Sequence, residues 1–79
     1  MTKNDNQYET SDLGLTASLT ASGYIVADID KSNPRRVVFL FDNTPELQKT
    51  IEQFWSQDLK LPASVLLEHI RLLKARIYN

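Results

Sequence analysis

The spacing of apolar positions along this chain switches from helical to alternating and back to helical. In residues 12–22, Leu15 and Leu19 form an i,i+4 pair on one side, while Leu13, Ala17 and Ala21 fall on another. That spacing predicts a helix with two apolar sides, one lined by small alanines, and so a helix sandwiched between neighbours. Ser11 or Thr10 is its expected N-cap, with Asp12 at the positive end of the dipole. Gly23 supplies the left-handed residue that ends it. From there the pattern alternates. Residues 24–30 read as a strand with Ile25, Ala27 and Ile29 on one face. Residues 37–41 are an unbroken apolar run, rich in β-branched and aromatic side chains, and read as a second strand with Val37, Phe39 and Phe41 on one face.

Lys31-Ser32-Asn33-Pro34 is turn chemistry between these strands. A five-residue loop pairs Ile25 with Phe41, Ala27 with Phe39 and Ile29 with Val37, making one wholly apolar face. A four-residue loop does not, so the odd loop is expected. It also sets Asp30 opposite Arg36. Thr44 as N-cap, Pro45 at the first helical position and Glu46 in the first turn start a second helix. This helix runs to about residue 57 with an apolar stripe of Leu47, Ile51, Phe54 and Trp55. Pro62 opens a third, to about residue 78, striped by Leu66, Ile70, Leu73 and Ile77. Tyr8-Glu9-Thr10 is a candidate extra edge strand, and residues 1–7 are expected to form a flexible tail. The expected fold is a single α+β domain over residues 8–79, in the order helix, β-hairpin, helix, helix. Its helices pack on a small antiparallel sheet.

Composition narrows the class. A chain of 79 residues with 42% apolar content is globular and small. It buries only about 60% of its unfolded surface, so self-association is a common remedy. The net charge of −1 argues against nucleic-acid binding by charge alone. That charge is unevenly spread: residues 1–30 hold one Lys against five Asp/Glu, and residues 31–79 hold eight Lys/Arg against five. The absence of cysteine excludes disulfides and thiolate metal sites and fits the cytoplasm. No apolar run approaches the roughly 18 residues that cross a bilayer, so no membrane is expected.

Several phrases together resemble a family of short prokaryotic and phage proteins catalogued only as a domain of unknown function. They are Tyr8-Glu9-Thr10-Ser11-Asp12-Leu13, the Gly23-Tyr24 helix exit, the run from Val37 through Phe41 to Asp42-Asn43-Thr44-Pro45-Glu46-Leu47, and the ending Leu72-Leu73-Lys74-Ala75-Arg76-Ile77-Tyr78. The resemblance implies a shared fold from Tyr8 onward. It implies no activity and no site residue.

The chemistry available is sparse. One His, no Cys and two glycines exclude a phosphate loop, a dinucleotide fingerprint and a zinc finger. His69 reads as a flanking residue of an apolar stripe. Asp28, Asp30 and Asp42 share a strand face, but Asp42 lies at the far end of the hairpin from Asp30, so solvated strand ends explain them. Neither an enzyme nor a cofactor or metal is expected.

Two binding readings are left. The first is a non-enzymatic accessory module acting by protein–protein association, as a homodimer or with a protein partner, through Tyr24, Val26, Val38 and Leu40 on the second hairpin face. The alternative is nucleic-acid contact through the basic hairpin tip, Lys31, Asn33, Arg35 and Arg36, with Arg71, Lys74 and Arg76 of the last helix. Arg71 and Lys74 leave that helix on one flank and Arg76 on the other, so the helix alone forms no basic face. The net charge ranks protein association first.

Overall fold

The structure, a computed structural model, describes residues 6–78. Its elements are β1 (Gln7–Thr10), α1 (Leu13–Ala21), β2 (Val26–Asp30), β3 (Val38–Asp42), α2 (Pro45–Trp55) and α3 (Ala63–Ile77). The three strands form one antiparallel sheet in the order β1-β3-β2, so the apolar run of β3 is the central strand, paired on both sides. The α+β expectation holds, and the candidate edge strand is real. Of the expected tail, residues 1–5 lie outside the described residues. Of its last two residues, Gln7 is in β1, and Asn6, just before the strand, accepts at its carbonyl from the Asn43 N–H at 2.7 Å.

The hairpin register differs from the expected one. Asp30 pairs with Val38, Ile29 with Phe39 and Asp28 with Leu40, and then a bulge leaves Ala27 over before Val26 meets Phe41. The connecting loop therefore spans residues 31–37. Hydrogen bonds inside it explain the extra length: Asn33 Oδ1 accepts from the Arg35 N–H, the Asn33 carbonyl from the Arg36 N–H, and Asp30 Oδ1 from the Ser32 N–H. The bulge then resets which side chains face inward. Val26 and Ile29 lie on the core side, while Ala27 is exposed and Ile25, placed inside by the sequence reading, is 84% exposed. Asp30 stands opposite Val38, and the expected cross-strand pair with Arg36 does not form.

Helix α1 is sandwiched, as its two apolar sides predict. Leu15, Thr16, Ala17, Ser18 and Leu19 are all buried. It packs against α3 and α2, and it shares one core with Phe39 and Phe41 of the sheet. Polar side chains survive there because each bonds within the helix: Thr16 Oγ1 donates to the Asp12 carbonyl and Ser18 Oγ to the Gly14 carbonyl. The N-cap is Asp12, one residue later than expected. Its carboxylate accepts from the Leu15 N–H at 3.0 Å, and Thr10 Oγ1 accepts from the Asp12 N–H instead. Gly23 ends the helix at φ +103°, with the Gly23 N–H on Thr20 and the Tyr24 N–H on Leu19 carbonyls.

Helix α2 starts as expected, with Thr44 accepting from the Leu47 N–H behind Pro45. It buries Leu47 and Ile51. Helix α3 buries Leu73 and sets Leu66, Ile70 and Ile77 against the core. His69, at the margin of that stripe, meets Thr20 of α1 through Nδ1 at 2.9 Å. Among the described residues no helix is long and apolar enough to cross a membrane.

Candidate functional site

Among the described residues, apolar and charged groups meet on the outer face of the sheet and in a groove at the hairpin tip. Because β3 alternates, Phe39 and Phe41 enter the core, and Val38 and Leu40 point to the opposite side, half-buried and outside the core cluster. The cross-strand neighbours of Leu40 are Glu9 on β1 and Asp28 on β2, and Val38 sits beside Asp30. Asp42 follows at the end of β3, opposite Gln7. The cross-strand partners of these two side chains are thus carboxylates, while Arg36, which lines a small cavity with Val38 and Glu9, brings a positive charge to the tip end of the face. Asp30 titrates below the usual aspartate value because the Ser32 backbone N–H, and after it the Ser32 hydroxyl, bonds its carboxylate.

This corrects the expected interface. Val38 and Leu40 are on that face, but Val26 is in the core. Tyr24 packs against the core too, its hydroxyl 2.9 Å from Thr50 Oγ1 of α2. The bulge at Ala27 is the cause, since it moves Val26 to the inner side. Glu9 was missed as a neighbour of Leu40 because its strand was only three residues in the sequence reading. Among the described residues, no three His, Cys, Asp or Glu side chains gather closely enough to hold a metal ion.

The second surface is a groove of about 250 Å³ at the hairpin tip. Arg35 and Arg36 line it from the tip, Ser11 and Leu13 from the start of α1, Val37 and Phe39 from β3, and Ile77 and Tyr78 from the end of α3. The tip is tied to α3 by Lys31, whose Nζ donates to the Arg76 carbonyl at 2.6 Å. Arg36 Nε donates to Ser11 Oγ at 3.1 Å. The expected basic residues therefore divide. Arg35 and Arg36 line the groove, while Lys31 meets the backbone carbonyl of Arg76 across 45 positions of sequence, and neither Lys31 nor Arg76 is among the lining residues. Arg71 does not join them, since its guanidinium pairs with Glu68 on its own helix. Lys74 is exposed on α3 and does not line the groove, and Asn33 is engaged in folding the loop. Tyr78, 82% exposed, was missed. An aromatic residue two positions after Arg76 was its only signal.

The family described as Domain of unknown function (DUF5659) matches residues 5–79. This chain belongs to that family. The DUF5659 match covers every strand and helix described above, so the three-stranded sheet and its enclosed helix are what this chain presents for the family. No curated protein and no solved structure matches the chain.

Proposed function

We propose that the protein is a small non-enzymatic binding module that works by association with another protein through the outer face of its sheet. One observation carries this reading. Val38 and Leu40, on the central strand, are half-buried, lie outside the core that the helices share with Phe39 and Phe41, and have Glu9, Asp28 and Asp30 as cross-strand neighbours. An apolar centre with a charged rim is the composition of an interface.

The rim bears on the partner. Two copies meeting face to face would set Asp28, Asp30 and Asp42 against their own equivalents, which costs affinity. A basic surface suits these carboxylates, whether it belongs to another protein or to the basic end of a second copy. Three strands at about 4.8 Å spacing and five residues at about 3.4 Å rise make a footprint of roughly 250 Å². A standard interface uses about 800 Å² per partner, so this association is of the transient kind. We assign it to the cytoplasm, on the cysteine-free composition.

The test is an NMR titration of the labelled protein with a Lys/Arg-rich amphipathic peptide, beside sedimentation velocity of the protein alone. Leu40→Lys is the informative variant, because the new ammonium lies between Glu9 and Asp28 and leaves folding intact. Shifts centred on Val38 and Leu40 that fade with salt, and vanish in Leu40→Lys, support the reading. Shifts elsewhere, or a self-associated species that gains with salt and ignores Leu40→Lys, refute it.

A further inference from the structure

We propose that the groove at the hairpin tip binds a nucleotide unit of single-stranded nucleic acid, its phosphate on Arg35 and Arg36 and its base against Tyr78 and the apolar floor. The groove adjoins the sheet face at Arg36 and Ser11, but the proposal does not rest on the reading given for that face.

Its charge is local and mostly positive, although the Asp30 carboxylate bonds the Ser32 N–H at the base of the tip and Glu9 lies beside Arg36. Residues 31–36 and 74–78, the two segments that meet there, hold five Lys/Arg and no Asp or Glu. The net charge of −1 does not cancel this, because screening confines each patch to about 8 Å at physiological salt. Arg36 is anchored through Nε to Ser11 Oγ, which fixes its stem and leaves the planar fork of terminal nitrogens suited to a phosphate. The floor is apolar, made by Leu13, Val37, Phe39 and Ile77. A site for inorganic phosphate alone has no use for such a floor.

The size narrows the ligand further. About 250 Å³ falls below the roughly 300–1,000 Å³ of drug-sized sites, so it takes one ring system and not a whole dinucleotide. Tyr78 is a ring left almost wholly in water at the rim of this cavity. Basic groups beside an exposed aromatic platform are how sequence-tolerant single-strand binders hold each base. Duplex bases are already stacked on one another and do not reach such a ring.

Fluorescence anisotropy of labelled short oligothymidylate, oligouridylate and a duplex of equal length tests this with the full chain at low and physiological salt. Tyr78→Ala and Arg35→Ala alter exposed side chains, and circular dichroism checks that both fold. Tyr78→Ala is expected to weaken single-strand binding roughly 5- to 150-fold. Arg35→Ala should lower the slope of log affinity against log salt by about 0.7. Uridine monophosphate separates the two sources of this chemistry: displacement of the oligomer at equal molar concentration assigns a free nucleotide, and failure to displace it assigns the polymer. No binding to either single strand at low salt overturns the proposal. So does duplex binding of equal strength that ignores Tyr78→Ala, or displacement by polyglutamate as effective as by unlabelled oligonucleotide, which would mark a surface that reads negative charge only.

Discussion

The two faces of β3 are built from neighbouring residues and have opposite fates. On the inner face, Phe39 and Phe41 are each 1% exposed, pressed into the core shared with α1. On the outer face, Val38 and Leu40 are no less apolar, yet their neighbours are Glu9, Asp28 and Asp30. Hydrophobicity of the strand alone therefore does not decide burial. The neighbouring strands decide it, by offering Tyr8, Val26 and Ile29 on one side and carboxylates on the other. An unbroken apolar run reads as a strand covered on both faces, and here the flanking strands overrule that reading.

The sharpest way to break this contrast is Phe39→Ala. Truncating a Phe enclosed by α1 and the sheet should cost about 3–5 kcal/mol, enough to unfold much of a domain this small; urea unfolding measures it. Next is Ala17→Leu, which adds volume to a helix buried all round. Overpacking should cost about 1–3 kcal/mol, visible as a lower melting temperature. A loss near zero would show that α1 has slack on one side. Leu40→Lys should change folding stability by no more than about 0.5 kcal/mol, since the outer face adds little to the core. If instead it unfolds the chain, the outer face is structural and the contrast fails.

The smallest effect concerns pH. Asp30 has its folded pKa lowered by the Ser32 N–H and hydroxyl. A lowered carboxyl contributes stability that is complete above its unfolded value, near 3.9, and is lost as pH falls through the folded value. Asp30→Asn should therefore lose that contribution at neutral pH, leave the strongly acid end nearly unchanged, and so flatten the acid limb of the stability profile. Thermal melts between neutral pH and the acid limb test this, and an unchanged acid limb would mean that the Ser32 contacts do not persist in solution.

Much of the fold was legible because it is written in local signals. Thr44 and Pro45 start α2, Gly23 stops α1, and the paired apolar sides of α1 announced its enclosure before any neighbour was known. The errors in the hairpin have two origins. The loop over 31–37, folded by Asp30 and Asn33, moves the partner of Asp30 from Arg36 to Val38, and the bulge, which has no local signature, then turns Tyr24 and Val26 inward against the regular alternation of Ile25, Ala27 and Ile29. The groove was half legible. Arg35 and Arg36 stand out as a basic tip, but only the tertiary meeting with α3, through Lys31 and the Arg76 carbonyl, supplies Tyr78 and the floor.

Ala27 has a further meaning for how this strand tolerates changes of length. It is the one residue of β2 without a partner of its own in β3, lying between Val26 opposite Phe41 and Asp28 opposite Leu40. Excising it would join those two pairs into an uninterrupted ladder, with Val26 still inside and Asp28 still outside. Excising Ile29 instead would bring Asp28 into register with Phe39 and turn a carboxylate toward the core. Loss of a single codon is thus nearly silent at one position and ruinous two positions later, and a chain one residue shorter at Ala27 would carry the same sheet with no irregularity in it.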